Sequence, residues 1–62
     1  MPMTPKQMAK LLRKNGFNKL KQEGSHAKYY NPKSKRTAIV PMHNKDLGKG
    51  LESDILKQAG LK

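Results

Sequence analysis

Apolar residues in the first quarter of the chain recur at helical spacing: Met8, Leu11 and Leu12 share one face, and Lys6, Lys10, Arg13 and Lys14 occupy the remainder. Start and stop signals bracket this segment. Thr4 has the chemistry of an N-cap, Pro5 suits the first helical position, Gln7 completes a capping box, and Met3 and Met8 are spaced as a hydrophobic staple. Asn15 and Gly16 predict a left-handed C-terminal cap that returns Phe17 toward Leu12. After Gly16 the pattern turns extended, and three strands are predicted: Phe17 to Lys21, His26 to Asn31, and Arg36 to Met42. The turn at Glu23, Gly24 and Ser25 and the turn from Asn31 to Lys35, which contains Pro32, join them as an antiparallel meander. Pro41 favours an edge or a strand terminus. The loop from Pro41 to Gly50 then leads to a second helix, predicted from Leu51 to Ala59 and stopped by Gly60. Leu51, Ile55, Leu56 and Ala59 form its core-facing stripe, Glu52 and Asp54 suit its positive N-terminal end, and Leu61 is placed to pack on Leu56.

These elements define an α+β domain of α-β-β-β-α order, a three-stranded antiparallel sheet with two helices on one face. No repeat, linker or low-complexity tail divides residues 1–62, so a single domain is expected. The predicted core is Met8, Leu11, Leu12, Phe17, Leu20, Tyr29, Val40, Leu51, Ile55, Leu56 and Leu61, with Ala27, Ala38 and Ala59 filling gaps. A chain of this size buries only roughly 60% of the surface that it exposes unfolded, so stability is expected to be marginal and to gain from a partner. With both helices on one face, the other stays open. If Ala27 and Tyr29 point inward, His26, Lys28 and Tyr30 share the open face, and a one-residue slip would invert that assignment.

Charge narrows the choice of partner. Fourteen Lys and Arg against four Asp and Glu give a net charge of +10, more than solubility asks of so small a domain. Nucleic acid, an acidic protein and an anionic membrane would all answer such a surface. No hydrophobic run approaches a membrane span, and Met1 to Thr4 has no signal-peptide apolar region, so a soluble cytoplasmic protein without membrane association is expected. The absence of cysteine excludes a disulfide framework and suits a reducing cytosol. Individually, the lysines of the first helix read as a solvated face. Taken together with Lys33, Lys35 and Arg36, they favour phosphate binding. There is no Cys/His metal spacing, no Walker-type glycine loop and no paired carboxylates, so neither a metal nor a cofactor is expected and most enzyme classes are excluded.

Within this cationic chain, Gly24-Ser25-His26 is the stretch that points to chemistry. Histidine can exchange a proton near neutral pH, which positive charge alone cannot do. Metal-free cleavage of RNA needs a base for the 2′-hydroxyl, an acid for the leaving oxygen and cations for the phosphate. His26 can act as base or acid, and Lys19, Lys21 and Lys28 flank it, but the group opposite His26 is not evident from the sequence. The simpler alternative is a histidine that ends a hairpin turn. Gly24 lets backbone approach a phosphate and Ser25 can donate to it, yet Gly-Ser is also an ordinary turn pair. Tyr29 and Tyr30 are candidates for stacking a base, with at least one of the two needed by the core, and His43 is a candidate RNA contact from the loop after the third strand.

In this order, several segments give the chain a resemblance to the HicA family of toxin-antitoxin ribonucleases. They are the basic helix ending in Gly16-Phe17, the Gly24-Ser25-His26 strand entry, Val40-Pro41-Met42-His43, and the closing run Ile55-Leu56-Lys57-Gln58-Ala59-Gly60-Leu61. The resemblance covers nearly the whole chain and departs after Gly50, where Leu51 and Glu52 replace the frequent Thr-Leu entry. It implies a fold similar to the double-stranded-RNA-binding domain, mRNA cleavage that arrests translation, as in a stress response, and a HicB-type antitoxin that forms a hetero-oligomer covering the active site. It also implies that His26 is the catalytic residue. Lys21, Lys28, Gly24, Ser25, Tyr30, Lys10, Lys14 and His43 are the expected RNA-binding set. A non-catalytic RNA-binding module is the alternative, and a protein whose basic surface binds only an acidic partner is a third.

Overall fold

Thr4 caps the first helix as its sequence predicts. In the computed structural model, which describes residues 3–43 and 45–62, the Thr4 Oγ1 accepts from the Gln7 amide at 3.2 Å and the Gln7 Oε1 accepts from the Thr4 amide at 2.9 Å. Met1 and Pro2, from the stretch expected to lack a signal-peptide region, and Asn44, from the loop after the third strand, lie outside the described residues. Helix α1 spans Pro5–Lys14 and buries Pro5, Met8, Ala9 and Leu12. At its end the Gly16 amide donates to the Arg13 carbonyl at 3.1 Å and the Phe17 amide to the Leu12 carbonyl at 2.9 Å, the two bonds of a Schellman motif. Phe17 thereby turns into the core beside Leu12 and is not a strand residue.

The strands are β1 (Asn18–Glu23), β2 (His26–Asn31) and β3 (Arg36–Pro41), antiparallel in the order β1-β2-β3. Met42, expected to end the third strand, lies just beyond it. Helix α2 spans Lys49–Ala59, starting two residues before the predicted Leu51, and the Gly60 and Leu61 amides close it on the Lys57 and Leu56 carbonyls at 3.1 and 2.9 Å. Two bonds tie the start of the chain to the approach to α2: the Leu47 amide donates to the Met3 carbonyl at 2.9 Å, and the Met3 amide donates to Glu52 Oε1 at 3.0 Å.

The buried cluster comprises Met8, Ala9, Leu12, Phe17, Ala27, Tyr29, Ala38, Val40, Leu47, Ile55 and Ala59. Its strand members, Ala27 and Tyr29 on β2 and Ala38 and Val40 on β3, all point one way, so both helices cover one face of the sheet. Five predicted core leucines differ from expectation. Leu20 is 58% exposed because the register shifts between Lys19 and Lys21, which makes Leu20 the extra residue of a bulge on an edge strand. Leu51 and Leu61 are exposed at the two ends of α2, and the loop residue Leu47 fills the buried place near the α2 start instead. Leu11 and Leu56 pack against the cluster only in part, as does Met3. Among the described residues, none of the helices is long and apolar enough to cross a membrane.

Candidate active site on the open sheet face

Gly24 and Ser25 form a two-residue turn between β1 and β2. Gly24 has φ +57 while Ser25 keeps a negative φ, the signature of a type II′ hairpin with glycine at its first central position. This conformational demand accounts for Gly24 without any appeal to a ligand, and no neighbouring atom crowds it. The Ser25 carbonyl accepts from the Met42 amide, which ties the turn to the segment leaving β3.

Because the turn holds only two residues, pairing resumes immediately, with Glu23 opposite His26. Across the other edge of β2, His26 pairs with Pro41, Lys28 with Ile39 and Tyr30 with Thr37. Ala27, Tyr29 and Asn31 are buried, which fixes His26, Lys28 and Tyr30 on the face that no helix covers. The expected register is therefore the observed one. His26 is exposed, whereas Lys28 and Tyr30 are half-buried.

On that face Lys21, Glu23, His26, Lys28 and Ile39 line a shallow open depression. Lys21 and Glu23 form an ion pair at 2.7 Å, both side chains largely exposed, so its contribution to stability is small. The depression brings together three of the expected site residues, Lys21, His26 and Lys28. It adds two that sequence patterning did not single out, Glu23 and Ile39. Glu23 was legible in principle, since it stands as far before the turn as His26 stands after it. Ile39 is 44% exposed and is the one apolar residue among the five that line the depression, and its position becomes evident only from the β2–β3 register.

The remaining candidates lie elsewhere. Tyr30 is on the open face, two residues along β2 from Lys28, outside the lining of the depression. Lys10 joins Lys6, Ala9, Arg13 and Met42 around a second depression on the α1 side. His43 is exposed, lines a third with Thr4, Pro5 and Lys6, and accepts from the Lys45 amide through Nδ1 at 3.2 Å. Lys14 is exposed on the last turn of α1. Arg36, counted among the phosphate-binding cations, lies against the end of α2, its side chain within 2.6 Å of where a Cβ on Gly60 would stand. Among the described residues, no three or more His, Cys, Asp or Glu side chains gather as a metal site would require.

The molecule is thus a small basic α+β domain whose bare sheet face holds an imidazole between lysines. The family model described as the HicA toxin of bacterial toxin-antitoxin matches residues 5–61, and the chain belongs to that family. It is accordingly a toxin of a toxin-antitoxin pair, and membership implies a cognate antitoxin. A comparison with curated proteins finds no match.

Proposed function

We propose that the chain, acting as one domain, is an endoribonuclease that cleaves mRNA without a metal and uses His26 in proton transfer. One observation carries this reading: the His26 imidazole is exposed on an uncovered sheet face, in one depression with Lys21 and Lys28. Ammonium groups there attract a phosphodiester and offset charge that builds on it as the bond breaks, and the imidazole supplies the proton exchange. Gly24 and Ser25 bring backbone close to the bound strand, and Tyr30 stacks a base further along β2. The Met42–Ser25 bond sets the turn beside the segment bearing His43. Flanking nucleotides follow this segment toward the α1 cations, with Lys10 and Lys14 on their phosphates.

An antitoxin of the HicB type, in a hetero-oligomer with the toxin, inhibits it by covering the His26 face and neutralising part of the +10 charge. The working compartment on this reading is the cytoplasm, where mRNA is translated.

The test is incubation of purified protein with labelled RNA in the presence of a chelator. The expected result is shortened RNA for the original chain and intact RNA for His26→Ala, with a drop of at least about 10²-fold in rate and an unchanged melting temperature, because the ring is exposed. Retarded but uncut RNA with the original chain would favour a non-catalytic RNA-binding module. Growth arrest on expression should follow cleavage and vanish with His26→Ala.

A further inference from the structure

Cleavage through a 2′-hydroxyl needs two proton-transfer groups, and His26 is one. We propose that Glu23 is the other, serving as the base on the 2′-hydroxyl while His26 protonates the leaving oxygen, a proposal that rests on the ribonuclease reading above. The chain has four acidic residues. Glu23 alone among them lines the depression with His26. Glu52 is committed to the Met3 amide, and Asp46 and Asp54 belong to the loop after β3 and to α2.

Geometry favours this division of labour. Glu23 and His26 are the pair that closes the two-residue hairpin, where Cα atoms stand about 5.5 Å apart and both side chains rise from the same face. Groups that act on opposite sides of one phosphorus must be neighbours without being bonded to each other, because a direct bond would occupy the atoms needed by the substrate. Here the Glu23 carboxylate is held by Lys21 at 2.7 Å, not by the imidazole. An exposed ion pair of this kind is weak, so an arriving phosphate competes for Lys21 and frees the carboxylate at the moment a base is required. The charged groups facing Glu23 in the depression are Lys21 on its own strand and His26 and Lys28 on β2.

In the reaction, the 2′-oxygen bonds to phosphorus as its proton passes to the Glu23 carboxylate. The bond from phosphorus to the 5′-oxygen breaks as the His26 imidazolium gives that oxygen a proton. The products are a 2′,3′-cyclic phosphate end and a 5′-hydroxyl end, with both protons accounted for. Lys21 and Lys28 hold the non-bridging oxygens.

Single-turnover cleavage of a short labelled oligoribonucleotide by the full chain tests this. Glu23→Gln, which keeps shape and hydrogen bonding, should slow cleavage by about 10²-fold at saturating protein with little change in RNA affinity, and Glu23→Asp should retain part of the rate. Roles are separated by a substrate with sulfur in place of the bridging 5′-oxygen, a leaving group that needs no proton. His26→Ala should recover on that substrate, whereas Glu23→Gln should stay slow. Wild-type cleavage by Glu23→Gln, or its rescue by sulfur, overturns the assignment of Glu23 and leaves the ribonuclease reading intact if His26→Ala is still inactive. Undiminished cleavage by His26→Ala on the ordinary substrate sinks both.

Discussion

Asn31 is a buried polar residue against the apolar core, and both ends of its amide have work. Its Nδ2 donates to the Asn15 carbonyl at the end of α1 at 3.1 Å, and its Oδ1 accepts from the Lys33 amide at 2.9 Å. One side chain therefore fixes the exit from α1 to the turn between β2 and β3. Asn31→Ala is expected to lose about 1–3 kcal/mol in urea unfolding, since it leaves a carbonyl and an amide without partners. Gly16 faces the same amide: it has φ +92, and a Cβ there would meet Asn31 Nδ2 at 3.4 Å. Gly16→Ala should cost about 1–2 kcal/mol for the left-handed backbone, measurable as a lowered denaturation midpoint. His26→Ala, in contrast, should leave that midpoint unchanged while removing activity, so site and scaffold are separable residue by residue.

At the scale of elements, α1 was legible almost to the atom, because its signals are local: a capping box at Thr4 and Gln7, a proline at the first turn, and a glycine after the last. Strand β2 was equally readable, since its alternation separates two faces. Strand β1 was not. All six of its residues are exposed, so no apolar period marks them, and the bulge at Leu20 is a property of pairing that composition does not encode. Leu20→Thr should therefore shift unfolding free energy by no more than about 0.5 kcal/mol, whereas Leu12→Ala, in the core, should cost about 2–5 kcal/mol by the same measurement. The start of α2 was misjudged for a related reason. Gly48 and Gly50 read as loop, yet the bonds from Met3 to Leu47 and Glu52 fix the approach to α2, a tertiary constraint acting across more than forty residues. In the candidate site, His26, Lys21 and Lys28 could be read from type and position. Glu23 and Ile39 required the register.

For the whole molecule, charge acts in two directions. A net +10 on so few residues makes the folded state repel itself, so added salt should raise the melting temperature in calorimetry. RNA affinity should fall over the same salt range, linearly in log-log form, because binding releases counterions from the phosphates. Opposite slopes in the two titrations would separate self-repulsion from ligand attraction. An antitoxin that lowers this self-repulsion should behave like salt toward stability, raising the toxin's melting point in the complex.

The far flank of β3 has one more bearing on behaviour. There the Ile39 amide is taken by Gln58 Oε1 from α2 at 3.3 Å, and Pro41, next along the same flank, has no hydrogen to offer. Growth of a filament by ladder extension needs a receptive border on both sides of every subunit, and here two successive positions of one border have no free amide to give. When the molecules are crowded at high concentration, this flank is the weaker hand with which a chain of copies would be held.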